Sequence, residues 1–201
     1  MNYFFFIIVG YLSGSVLYAY LLPRFLGHVD ITACSDDHNP GAFNAFKYAG
    51  RGIGILVILL ELAKGFFPVF VAAHFLNIHS LLFSLVLAAP VLGHAFPLFR
   101  FQKGGKAIAV SFGSLLGLFP ILYPVLLLAV FYLFFSLLIV IQPHLLRSIV
   151  TFTLFSLISL FRFKNMALAV GSCLISGIVV LKHVLRYEKE PVSVHFLQQH
   201  H

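Results

Sequence analysis

"GIGILVILLELAKGFFPVFVAAHFL", Gly52–Leu76, carries only two formal charges, Glu61 and Lys64. At about 1.5 Å per helical residue, a run of this length spans the roughly 30 Å hydrocarbon layer of a bilayer. It reads as a membrane-crossing helix. The rest of the chain agrees. Of its 201 residues, 61% are hydrophobic and 9% charged, and the mean hydropathy is +1.02. Soluble domains carry roughly 25% charged residues. In lipid, every backbone polar group must be satisfied internally, and long apolar runs select helices over a closed barrel. The ten-residue alternation of a barrel strand is not visible.

Working outward from that run, an all-α polytopic membrane protein of about seven transmembrane helices emerges. The first span covers residues 3–22 and stops at Pro23-Arg24. It lacks the basic start of a secretory signal and reads as a retained span. A polar loop, 24–51, holds three of the six acids. The second span is the opening run, and the third covers 80–99. The apolar stretch 107–141 is too long for one helix, so it divides near "GLFP", Gly117–Pro120, into a short fourth span and a fifth. A short sixth, 148–161, and a seventh, 166–181, complete the set. The two short spans either cross or re-enter. Residues 1–190 form one domain, and 191–201 are expected as a disordered tail.

Basic residues decide the sidedness. Arg24, Lys47, Arg51, Arg100, Lys103, Lys106, Arg147, Lys182, Arg186 and Lys189 fall on one side, against Arg162 and Lys164 on the other. The first side is therefore expected in the cytoplasm, with the N-terminus outside and the C-terminus inside. The net charge of +7 is accounted for by orientation and anionic lipid. Without a longer basic tract, nucleic acid is not an expected partner. Cys34 and Cys173 do not make a disulfide framework.

Chemistry collects on the cytoplasmic side. Lys64, costly inside a span, has Glu61 three positions earlier on the same helix face. The two either form a structural pair or border a water-filled site. In "SDDHNPGAFNAFKYAGRGIG", Ser35–Gly54, the Asn39-Pro40-Gly41 turn precedes a helix that carries Asn44 and Lys47 on one face. The amides at such a helix start favour anions. Asp36 and Asp37 cap that helix, pair with lysines, or accept from a substrate hydroxyl. "GHAFPLFRFQKGGK", Gly93–Lys106, offers Lys103 and Lys106 as charges, and Gly104 and Gly105 as points of close main-chain approach. The alternative is an orienting loop with a glycine hinge. His94 and His183, at the ends of spans three and seven, are acid/base candidates or interfacial residues. No Cys/His/Asp cluster has metal-site spacing, so neither a metal nor a cofactor is expected. Anion-binding groups beside apolar spans suit a ligand with an anionic head and a fatty tail.

Four stretches together, Gly14-Ser15, "NPGAFNAFKYAG" (Asn39–Gly50), Lys64-Gly65 and "LGHAFPLFRFQKGGKAIAVSFG" (Leu92–Gly113), resemble the bacterial acyl-phosphate:glycerol-3-phosphate acyltransferase family. The resemblance implies a multi-pass enzyme of the bacterial cell membrane, with its N-terminus outside and its active site facing the cytoplasm. It implies transfer of a fatty acyl group from acyl phosphate to the 1-hydroxyl of glycerol 3-phosphate. The product would be lysophosphatidic acid, in the first step of phospholipid synthesis, without acyl-CoA or metal. Ser35, Lys106, His94 and His183 then become catalytic candidates. Asn39, Gly41, Asn44, Lys47, Lys64, Lys103, Gly104 and Gly105 become substrate- and phosphate-binding candidates.

Departures stand beside the match. The family's Gly-Ser-Gly-Asn-x-Gly is here "SDDHNPG", one residue longer and with two acids. Lys47 replaces an arginine, Glu61 an aspartate, and Arg186 an asparagine. These leave open a divergent paralogue with another acyl acceptor or no activity. A small transporter of anionic metabolites is the rival class, although no internal repeat supports it.

Overall fold

The computed structural model describes residues 2–35, 37–99, 104–185 and 192–196, apart from the His195 side chain. Lys103, Asp36 and Arg186 lie outside the described residues. The first apolar run forms two helices, α1 (Tyr3–Ser15) and α2 (Tyr18–Leu26), separated by non-helical backbone at Val16 and Leu17. The Asn2 side chain caps α1 by accepting from the Phe4 amide. The polar loop contains α3 (Ile31–Cys34) and α4 (Ala42–Ala49), and α5 follows at Arg51–Phe75. Next come α6 (Leu82–Ala95), α7 (Ile108–Leu116) and α8 (Tyr123–Leu133), which continues as a π-helical turn over Phe134–Leu138. The last helices are α9 (His144–Arg162) and α10 (Met166–Val184).

Among the described residues, four segments are long and apolar enough to cross a membrane: Tyr3–Leu26, Arg51–Phe75, His144–Arg162 and Met166–Val184. Leu82–Ala95 and Tyr123–Leu138 are shorter apolar helices. The helix over the expected third span is only 14 residues, because the chain leaves it at Phe96. Pro97 disfavours a helical conformation at that residue. α7 has nine residues, about 14 Å of helix, which is less than half the hydrocarbon thickness. The sixth segment, expected as short, is a full 19 residues and starts just after Pro143. Within the stretch expected as a tail, Ser193–Phe196 instead forms strand β2. It pairs antiparallel with β1, Ile139–Gln142, in the register Ile139 with Phe196 and Ile141 with Val194.

α6 is the centre of the bundle, with 11 of its 14 residues buried. Phe83, Leu87 and Val91 pack in one core with Phe152, Phe155, Ile175 and Val179. Small residues bring backbones together, as expected where helices associate by packing in lipid. A Cβ on Gly14 would overlap the Pro90 carbonyl, and one on Gly93 the Tyr11 carbonyl, so α1 and α6 touch main chain to main chain. Gly113 on α7 lies against the Leu62 carbonyl of α5 in the same way. Outward faces carry Phe4, Ile8, Leu59, Phe67, Val130 and Leu137, all exposed. They form the apolar surface that lipid covers.

Candidate active site

The gap between α1 and α2 leaves backbone groups without helical partners, and charged side chains take them. Lys64 Nζ donates to the Val16 carbonyl at 2.6 Å, and Glu61 Oε1 accepts from the Ala19 amide at 3.3 Å. The two side chains also form an ion pair, with Nζ 2.7 Å from Oε2 and each side chain 2% exposed. Orphaned backbone groups inside a bundle cost several kcal/mol, so the pair has a definite structural task. It also reaches α6. Lys64 Nζ lies 2.8 Å from His94 Nδ1 in hydrogen-bond geometry. Glu61 Oε2 is 3.0 Å from the same nitrogen, so Nδ1 lies between an ammonium and a carboxylate. An ammonium only donates. Toward the ammonium Nδ1 can accept, and toward the carboxylate a protonated Nδ1 can donate.

Nε2 faces the glycine loop. A Cβ on Gly105 would collide with it, and one on Gly104 would overlap the carbonyl oxygens of His94 and Ala95. The two glycines let the loop lie on the end of α6. The Gly105 amide, a candidate phosphate ligand by sequence, donates to the His94 carbonyl at 3.2 Å. Beyond it, Lys106 Nζ meets Asp37 Oδ2 at 2.8 Å, with side chains 20% and 36% exposed. Asp37 Oδ1 accepts from Asn44 Nδ2 at 2.8 Å and from the Asn39 amide at 3.3 Å. Asn44 Nδ2 also reaches the Asn39 carbonyl at 2.9 Å. Burial pushes the Asp37 carboxyl up, but Lys106 and Asn44 outweigh it and hold the group below its ordinary value. The residues that follow this pair, His38 (φ 46°) and Ala107 (φ 62°), adopt left-handed backbone, which non-glycine residues rarely hold.

Gly41 caps α4, and a side chain there would strike the Asn39 amide. Lys47, on the exposed side of α4, sits over the Tyr48 ring at 4.8 Å. Ser35 is buried, and its Oγ has no hydrogen-bond partner among the described residues. His183 is buried, and its Nδ1 lies 2.8 Å from the Val179 carbonyl. The adjacent Lys182 is also buried and sits 4.7 Å from the centre of the Phe96 ring, close enough for its charge to act on His94. Sequence reasoning missed Lys182 as a site residue. Its position next to His183 in the last turn of a span was the available signal. The contact of His94 with both members of the Glu61–Lys64 pair was also missed, since thirty residues separate them.

Asn39, Asn44, Gly105, Lys106, His94 and Lys64 thus form one continuous polar path from the loops to the bundle. At its inner end lies a groove of about 540 Å³ between α1 and α5. Phe5, Phe6, Val9, Leu60, Phe67 and Val71 line it, and Ser13, Tyr18 and Lys64 stand at its polar side. Such an arrangement can hold an anionic group at one end and a hydrocarbon chain at the other.

Known proteins resemble this chain in sequence and in fold. Glycerol-3-phosphate acyltransferase of Thermotoga petrophila is 42% identical over 113 residues, 56% of this chain and 57% of the relative. The enzyme of Pseudomonas aeruginosa (strain LESB58) is 42% identical over 122 residues, 61% of this chain and 62% of its own. The matched stretch thus spans a little over half the length of these relatives. Two crystal structures of PlsY, an integral membrane glycerol 3-phosphate acyltransferase, superpose on nearly the whole fold. The glycerol 3-phosphate form gives a TM-score of 0.77 at 26% identity, covering 91% of this chain and 88% of that one. The lysophosphatidic acid form gives 0.74 at 27%, covering 90% and 87%. The family profile described as Glycerol-3-phosphate acyltransferase matches residues 4–189, and the chain belongs to that family.

Proposed function

We propose that the protein is a membrane acyltransferase. It moves a fatty acyl group from acyl phosphate to the 1-hydroxyl of glycerol 3-phosphate and yields lysophosphatidic acid. The observation that carries this reading is the convergence of Asn39, Asn44 and Lys106 beside the glycine loop over His94, joined through the His94–Lys64 contact to an apolar groove. The relatives' names and the two PlsY forms support the acceptor and the product. The seven-span topology, the outside N-terminus and a cytoplasm-facing site in a bacterial cell membrane belong to the same proposal.

Acyl phosphate is already activated, so positioning and charge stabilisation supply most of the catalysis. The acceptor hydroxyl oxygen bonds to the acyl carbonyl carbon. The bond from that carbon to the phosphate oxygen breaks, and inorganic phosphate leaves. The hydroxyl proton passes to a phosphate oxygen of the substrates. Lys106, together with Lys103 and Lys47, offsets phosphoryl charge. Asn39, Asn44 and the start of α4 at Gly41 orient the anion. His94, whose Nε2 faces the glycine loop, helps to orient that anion, and His183 holds the glycerol phosphate from α10. Lys64 and Gly104 act indirectly, by fixing His94 and the loop. Ser35 is assigned no chemical step. The acyl tail follows the α1–α5 groove. The engagement of Glu61 and Lys64 by Val16, Ala19 and His94 counts against a transport path through that pair.

Purified protein in detergent, given palmitoyl phosphate and labelled glycerol 3-phosphate, tests the proposal. Phosphate release matched by labelled lysophosphatidate is expected. Acceptor-independent uptake into liposomes without acyl transfer would reject it in favour of a transporter.

A further inference from the structure

The carboxylate of Asp37 has the surroundings of a bound anion. An ammonium (Lys106 Nζ, 2.8 Å), a side-chain amide (Asn44 Nδ2, 2.8 Å) and a main-chain amide (Asn39, 3.3 Å) all point at it. These are the donor types that a phosphoryl group recruits, and they are the donors assigned above to substrate phosphate. We propose that Asp37 is an internal occupant of the phosphate seat, which the substrate's phosphoryl group must displace from Lys106 in order to bind. The residue thereby sets the affinity of the site and its preference for dianions over monoanions. This rests on the acyltransferase reading for the identity of the displacing ligand.

Two observations and one chemical argument favour exchange over a fixed strut. The pair lies at the mouth, with side chains 20% and 36% exposed, whereas the Glu61–Lys64 pair is 2% exposed on both sides. A partly exposed ion pair contributes little net stability and can be exchanged, but a fully buried one cannot. A phosphate dianion brings more charge and more acceptor oxygens than a carboxylate, so it outcompetes one on the same donors. Finally, the left-handed residues His38 and Ala107 immediately follow Asp37 and Lys106. Strained backbone of this kind gathers where a segment has more than one useful arrangement.

Inorganic phosphate is the probe, titrated into the purified full-length protein in detergent by calorimetry. Asp37→Asn keeps the shape and removes the competing charge, and it should tighten phosphate binding about tenfold. Asp37→Ser should tighten it too, which guards against a peculiarity of the amide. The KM for glycerol 3-phosphate should fall by a similar factor, with kcat changed less. In an Asp37→Asn/Lys106→Gln double variant the gain should vanish. Unchanged or weaker phosphate binding in both Asp37 variants, with helical content by far-UV ellipticity retained at the assay temperature, overturns the proposal in favour of a purely loop-organising aspartate. Tighter phosphate binding without acyl transfer from palmitoyl phosphate would sustain the occupant role and reject the acyltransferase reading.

Discussion

Replacing Lys64 by methionine should expose how much the fold depends on one buried charge. The methionine fills much of the same volume but withdraws three contacts at once: the Val16 carbonyl at 2.6 Å, Glu61 at 2.7 Å and His94 at 2.8 Å. Glu61, only 2% exposed, keeps the Ala19 amide and the His94 ring as its neighbours. Breaking a buried pair by removing one partner costs about 3–5 kcal/mol. The orphaned carbonyl adds to this, although proton uptake by Glu61 relieves part of the burden. For a chain of this size, about 3–5 kcal/mol corresponds to a fall of roughly 6–20 °C in Tm. The chain has no tryptophan, so far-UV ellipticity is the natural readout in detergent. Glu61→Gln should be destabilising as well. The double variant should recover about 1–3 kcal/mol relative to the sum of the two, because neither half is then left charged and alone. A single variant that melts within about 2 °C of wild type, or strictly additive effects, would refute the idea that this pair repairs the helix break.

Other outcomes follow from the same geometry. Lys106→Ala should lower acyl transfer by at least about a hundredfold while leaving the melting profile near wild type, since the side chain is at the mouth. Ser35→Ala removes a buried hydroxyl with no described partner. It should leave transfer within a few-fold and stability unchanged or slightly higher, as steady-state rates and ellipticity will show. Gly113→Ala drives a methyl into the Leu62 carbonyl and should cost about 1–3 kcal/mol by forcing α5 and α7 apart. Because the folded Asp37 carboxyl titrates below its ordinary value, its contribution is present above the unfolded value near pH 4 and lost as pH falls through the folded one. The wild-type advantage in Tm over Asp37→Asn should therefore be constant near neutrality and close below about pH 4.

Particular residues show why parts of this fold were legible in the sequence and parts were not. Apolar length and interrupting charge located the long apolar segments, because the bilayer imposes a length. The break at Val16–Leu17 carried no warning, since neither residue disfavours a helix strongly. It exists because Glu61 and Lys64, more than forty positions away, satisfy the freed backbone. The early end of α6 was readable from Pro97, and β2 from the alternation of Val192, Val194 and Phe196. The site was half legible. Lysines beside glycines suggested anion chemistry, and pairing with lysine was among the readings open for the acids of the first loop. Whether a glycine amide faces a ligand or a neighbouring carbonyl depends on tertiary contact. Gly105 turned out to face His94.

The charges of the assembled site explain why one carboxylate matters so much. Among the described residues, Lys64, Lys106 and Lys182 stand against Glu61 and Asp37 around His94. Glu61 cannot leave Lys64 without uncovering the Val16 and Ala19 backbone, so those two charges stay paired with each other. Lys182 is held in the bundle against Phe96. The balance of the mouth then turns on Asp37 and Lys106. With the pair closed, Lys106 offers little field to an approaching substrate. With it open, an ammonium at the edge of a low-dielectric bundle acts on a phosphoryl group far more strongly than it would in water. On the proposed acyl-phosphate reading, a site that must gather two phosphorylated molecules on few cations gains selectivity if its exposed cation yields only to the more highly charged competitor.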